Sequence, residues 1–248
     1  MSSNVLLSKG EVRRHTFPDC ANCPNVRFGI YSSTQKSVPG QVESLRTSVV
    51  TYANNQTILR QGQSSRNIGS LRSGWAYAHK TLEDGRRHIK SFLLPGDAVV
   101  LDLMSIGANP LPYGITALTA ASVCWFPTER MTHLLQNDKG QRKETQFWMS
   151  YYVSTMSLRT AMIGHSTATA RLAEFILELF TRLRYRDLTK GDGYEFPPTQ
   201  PQIADCLGLT PAYVSMTLTN LRKRGILEIR DRTIKIFDER ELYKIANG

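Results

Sequence analysis

Four thiols, at Cys20, Cys23, Cys124 and Cys206, are the side chains of this 248-residue sequence with the widest chemical repertoire. They are too few to staple a chain of this size, so they read as buried, redox-active or metal-binding groups rather than a disulfide framework. The histidines His15, His79, His88, His133 and His165 show no paired ligand spacing. Neither a G-x-S-x-G elbow nor a phosphate loop occurs, which argues against an enzyme, including a metal enzyme built on a β-roll.

The most informative constellation is Thr199 to Gly225, TQPQIADCLGLTPAYVSMTLTNLRKRG. Thr199 followed by Gln202 makes a capping box, and Pro201 sits in a first turn where a helical N–H is not needed. Ile203, Ala204 and Leu207 give that helix an apolar face, and Gly208 suits the left-handed residue that ends it. Leu209 then plugs the corner. Thr210 caps a second helix with Pro211 at its first position, and Val214, Leu218 and Leu221 face inward. Ala212, Tyr213, Ser215, Met216 and Thr219 are left outward or partly outward. This is a helix-turn-helix, whose second helix enters the DNA major groove. No acidic residue stands between Cys206 and Leu227, while Arg222, Lys223 and Arg224 cluster at the far end, placed for phosphates or for the helix dipole. Ile226–Glu228 and Thr233–Phe237 around Asp231-Arg232 complete it with a wing. Thr199, Gln200, Thr210 and Tyr213 are the candidates for backbone phosphates.

The elements that must carry this motif are of two kinds. After an irregular arm over 1–40, residues 41–138 hold short β-rich runs: Ser48–Tyr52, Ile68–Leu71, Gly74–Lys80, His88–Leu93, Ala98–Leu101, Ile115–Ala120 and Ser122–Phe126. Gln61-Gly62, Ser73-Gly74, Asp84-Gly85 and Pro95-Gly96 punctuate them, which argues a sandwich, roll or barrel with its clearest hairpin at Asp84-Gly85. From 139 to 165 the period is helical. Met149, Val153, Met156, Thr160 and Ile163 form a coiled-coil-like seam, read as the dimerisation surface of a homodimer. Residues 166–248 are then the DNA-binding domain, beginning with a helix capped by Ser166 or Thr167 and striped by Leu172, Ile176, Leu179 and Leu183. The fold class is α+β.

The formal charge is +10 and the pI near 9.6, which favours a polyanionic partner. From Ser166 onward there are 13 Lys+Arg against 11 Asp+Glu, so most of the excess lies earlier and the DNA assignment rests on pattern instead. The N-terminus lacks an export signal, no run approaches a membrane span, and a cytoplasmic protein is expected.

Three stretches together resemble the CRP/FNR superfamily of bacterial transcription regulators: LRSGWAYAHKTLEDGRRHIKSFLLPGDAV from Leu71, ARLAEFILEL from Ala170 and IADCLGLTPAYVSMTLTNLRKRGIL from Ile203. The resemblance, nearest to the fumarate-nitrate branch, spans nearly the whole chain. It implies a β-roll sensor domain like that of cyclic-nucleotide-binding proteins, a dimerisation helix and a winged helix-turn-helix on a palindromic operator. By analogy it also implies RNA polymerase contact at the loop Tyr185–Gly193, and hence activation. Cyclic-nucleotide-binding relatives carry an Arg for the cyclic phosphate. Here Ser91 to Glu129 contains no Lys or Arg, so cyclic nucleotide is not expected. Oxygen-sensing relatives hold a [4Fe–4S] cluster, for which Cys20, Cys23 and Cys124 match three ligands; Gly29 or Tyr31 stands where another cysteine would be, and His15 or Asp19 are the substitutes at hand. The alternatives are a direct thiol switch, another effector, or an effector-independent regulator with a structural β-roll. Cys206 reads as core. Family members often place Glu and Arg where this chain has Ala212 and Met216, apolar groups suited to thymine methyls, so an operator unlike the usual half-site is expected, with Ser215 the polar match.

Overall fold

The computed structural model describes Cys20, Cys23 and residues 41–100, 110–191 and 193–248. After a short helix α1 (Gln41–Leu45) come eight strands, β1 (Ser48–Tyr52), β2 (Thr57–Leu59), β3 (Asn67–Ser73), β4 (Ala76–Thr81), β5 (Arg87–Leu93), β6 (Ala98–Val99), β7 (Gly114–Ala117) and β8 (Ala121–Pro127). They form two four-stranded sheets, ordered β1-β8-β3-β6 and β2-β7-β4-β5. In β1, Val50 and Tyr52 are buried and Thr51 is exposed, the alternation of a strand with one wet face. The central β8 is buried from Ala121 to Phe126, so both its faces are covered and its sequence reads as a continuous apolar run.

The expected hairpin at Asp84-Gly85 joins β4 to β5. The N–H of Leu82 donates to the Arg86 carbonyl at 2.8 Å, and Gly85 takes a left-handed φ of 81°. Strand β4 starts two residues later than its sequence suggests because Gly74, at φ 76°, turns tightly: a Cβ there would lie 2.2 Å from the Ala120 carbonyl oxygen. Strand β7 ends early for a related reason, since the N–H groups of Leu118 and Thr119 turn to the carbonyl of Trp75.

The helical part follows as α2 (Thr128–Asn137), α3 (Lys139–His165) and α4 (Ala168–Tyr185). Asp138 separates the first two, its carboxylate accepting from the N–H of Gln141 at 2.9 Å. Thr167 caps α4 by accepting from the N–H of Ala170. The stripe Leu172, Ile176, Leu179 and Leu183 is buried throughout. Then come β9 (Thr189–Lys190), β10 (Gly193–Glu195), α5 (Gln200–Leu207), α6 (Pro211–Lys223), β11 (Leu227–Arg230), β12 (Thr233–Ile236) and α7 (Glu239–Asn247). The four strands form one sheet ordered β11-β12-β10-β9, and Tyr194 of β10 stacks on Phe180 of α4. Among the described residues no helix is long and apolar enough to cross a membrane.

The chain divides into two compact units, residues 1–78 with 92–144, and 79–91 with 145–248. The β4–β5 hairpin tip therefore groups with the helical unit.

Candidate nucleic-acid interface

Helix α5 opens with both arms of the capping box: the Thr199 hydroxyl accepts from the N–H of Gln202, and the N–H of Thr199 donates to Gln202 Oε1 at 2.9 Å. Gly208 ends it at φ 63°, ψ 41°, a left-handed residue. Thr210 then caps α6, accepting from the N–H of Tyr213 at 3.2 Å, with Pro211 behind it. Thus each end of the turn is set by a hydrogen bond or torsion within four residues of itself.

The inward face of α6 is Val214, Thr217 and Leu221, all buried. Thr217 was not expected there, and Leu218, expected inward, is half-exposed. It borders a notch of about 180 Å³ with Leu227 and Ile229 of the wing. Outward lie Thr199, Gln200, Thr210, Pro211, Ala212, Met216, Arg222 and Lys223, all exposed, with Tyr213, Ser215 and Thr219 half-exposed. The Tyr213 hydroxyl is 3.4 Å from that of Thr169. The wing closes through Asp231 and Arg232 at φ 49° and 57°, the two left-handed residues of a tight hairpin turn.

Two ion-pair systems escaped the sequence reading, because each contains a partner from a distant part of the chain. Asp205 of α5 is held by Arg87 of the hairpin, whose Nη2 and Nε lie 2.6 and 2.9 Å from one carboxylate oxygen. On α4, Glu178 accepts from Arg159 of α3 at 2.7 Å and from Arg182 at 2.9 Å. Burial alone would raise the Glu178 carboxyl, but the two guanidinium groups outweigh it and hold the pKa below the ordinary value. Arg159 also donates to the Lys90 carbonyl at 3.2 Å, tying the hairpin strand to the same cluster.

A family model described as a Crp-like helix-turn-helix domain matches residues 170–245, and one described as a cyclic nucleotide-binding domain matches residues 49–138. The chain belongs to the CRP/FNR superfamily of transcription regulators. Among curated relatives, the transcriptional activator protein FnrA of Stutzerimonas stutzeri is 27% identical over 78% of this chain and 78% of its own. The fumarate and nitrate reduction regulatory protein of Vibrio cholerae is 25% identical over 92% of this chain and 90% of its own. Among solved structures, FixK2 from Bradyrhizobium japonicum superposes with a TM-score of 0.71 at 24% identity, covering 81% of this chain and 96% of that one. The fold class is thus the expected one, and the β-rich N-terminal domain, long helix and winged helix-turn-helix of this CRP/FNR-type regulator follow the family order.

For such a regulator the cysteines decide whether the fumarate-nitrate branch's cluster fits. Cys20 and Cys124 are buried and Cys23 is half-buried. The first two lie beside a cation. Arg46, its side chain 2% exposed, donates to Cys20 Sγ at 3.1 Å, lies near Cys124 as well, and is paired with Glu43 at 3.4 Å. Burial pushes the Cys20 thiol up to about 11 against the pull of Arg46, and Cys124 is raised for the same reason. Among the described residues no group of three or more His, Cys, Asp or Glu is arranged to hold a metal. His15, Asp19, Gly29 and Tyr31 lie outside the described residues. Cys206, by contrast, is buried on α5 as the sequence suggested, with its thiol also raised to about 11, by burial first.

On the long helix of the regulator the expected seam is partly covered and partly exposed. Met149 and Met156 are half-buried in their own chain, Val153 and Thr160 are exposed, and the side chain of Ile163 falls outside the description. A second stripe is uncovered beside it. Phe147, Tyr151, Ser154, Leu158 and Ala161, spaced by steps of four and three, are all exposed, with Phe147 at 57% and Leu158 at 63%.

Proposed function

We propose that this regulator binds a two-fold DNA operator as a homodimer, with the first two turns of α6 in the major groove. The observation that carries the reading is the outward face of α6: Ala212, Ser215, Met216 and Thr219 reach solvent from a helix fixed by its own caps and core. Thr199, Gln200, Thr210 and Tyr213 surround that face with groups for phosphates, and Arg222 and Lys223 add cations that hold any sequence.

Two copies are required for a palindrome, and the uncovered stripe from Phe147 to Ala161 is the seam that joins them, since a largely apolar heptad face, broken only by Ser154, on a 27-residue helix needs a partner helix. The printed names of the relatives support an activator; such a role sets the loop that begins at the exposed Tyr185 toward RNA polymerase and has the cytoplasm as its place of action. The signal it answers is not a cyclic nucleotide, because the stretch Ser91–Glu129 has no cation for the phosphate.

Selection of duplexes from a random library by the purified chain, followed by titration at several salt concentrations, tests this. Ser215→Glu lowers affinity about a hundredfold by setting a carboxylate against base edges and phosphates, with the melting temperature unchanged. Unaltered affinity refutes α6 as the reading helix. Leu158→Glu yields monomers in sedimentation, and a persisting dimer refutes the seam.

A further inference from the structure

From Pro211 to Leu221, helix α6 carries no charged side chain. A helix reading DNA without charge has no guanidinium to fork onto guanine O6 and N7, and no carboxylate to take the amino proton of cytosine. Besides the Tyr213 hydroxyl, placed for phosphates, and the exposed Asn220 amide toward its far end, it presents two hydroxyls, Ser215 and Thr219, both half-exposed, and two apolar groups, the exposed methyl of Ala212 and the Met216 thioether, 60% exposed. The nearest acid on the preceding helix, Asp205, is occupied by Arg87 at 2.6 Å and takes no part.

Only one group on the major-groove edge of a base pair is apolar, the C5 methyl of thymine. Resting on the DNA reading above, we infer that Ala212 and Met216 are specificity-determining residues that select thymine by packing on its methyl, with Ser215 giving the one directional hydrogen bond between them. Four residues of helix advance ~6 Å, and stacked bases advance ~3.4 Å, so the two selected thymines are about two base steps apart in each half-site. The cations Arg222 and Lys223, exposed at the far end of α6, supply attraction without choosing among sequences. Met216 is suited to the task because its unbranched thioether adapts to an uneven surface.

The decisive experiment replaces thymine by deoxyuridine, which removes the methyl and leaves base pairing intact. Duplexes enriched from a random library by the full-length chain are resynthesised with single thymines so replaced, and affinities are compared at fixed salt. Each contacted methyl is worth about fourfold, and both together about fifteenfold. Met216→Ala abolishes the penalty at one position and keeps it at the other; Ala212→Gly does the converse. Met216 lies outside the core, so a thermal melt matching the parent shows that its variant is folded. Equal affinity for thymine and deoxyuridine duplexes overturns the inference and leaves DNA binding standing, as does enrichment of half-sites without thymine. Failure to enrich any sequence instead overturns the DNA reading itself.

Discussion

Two regions of the molecule bear its distinctive chemistry, and they are built on opposite principles. The α5–α6 motif offers its reacting face to solvent and is held by contacts a few residues long: a capping box, a left-handed glycine, a second threonine cap. The thiols of Cys20 and Cys124 are withdrawn from solvent and positioned by Arg46, 26 residues from one and farther still from the other. A face that must recognise a large external polyanion is preformed by local rules, whereas a cluster of buried thiols exists only once the sheet around it is complete. The buried carboxylate Glu178 belongs to the second kind, although it lies in the helical unit with the first.

This contrast can be broken most severely at Glu178. Glu178→Gln leaves Arg159 and Arg182 buried with a neutral partner and costs about 3–5 kcal/mol of stability, read from chemical denaturation. Because the folded pKa of Glu178 is depressed, its contribution is complete above the ordinary carboxylate value of 4.5 and is lost as pH falls through the lower folded value. The parent should therefore lose stability in that acid window more steeply than the variant. Parallel curves would show that the triad contributes nothing. A smaller effect is expected at the turn. Gly208→Val forces a β-branched residue to φ 63° with open space around it, so strain alone acts, at about 1–2 kcal/mol, and operator affinity falls with it. A larger loss, with no recovery in Gly208→Asn, would point to a packing role that the open space denies. The finest test concerns the thiols. Cys20, raised to about 11, should alkylate slowly at neutral pH and accelerate only toward that value, and Arg46→Met should move the midpoint higher still by removing the stabilising cation. Rapid labelling at pH 7 would mean that the site opens freely to solvent.

The same division explains what could be read from the amino acids alone. Thr199, Gln202, Gly208, Thr210 and Pro211 each dictate their own local conformation, and the structure places all five in the expected positions. The hairpin at Asp84-Gly85 was legible for the same reason. Three-residue β2 was not, since Thr57–Leu59 is too short to show a period, and its pairing with β7 is a long-range fact. On α3 the apolar residues occupy more than one face, so spacing alone does not rank Met149 and Met156, which are half-buried, against Phe147 and Leu158, which are exposed. The partners Arg87–Asp205 and Arg159–Glu178 had no signal at all, as lone charges on amphipathic elements look like ordinary solvated positions.

Glu178, clasped from two helices, carries one more implication. An oily contact between cylinders tolerates slippage, because one methyl substitutes for another at little cost. A carboxylate gripped by Arg159 of α3 does not: rolling α4 by a single residue turns it about 100° and strands an anion away from its counter-ion. The clasp therefore behaves like a key in a shaft, fixing the angular setting of α4 on α3, and any signal that turns the one must turn the other or break the lock.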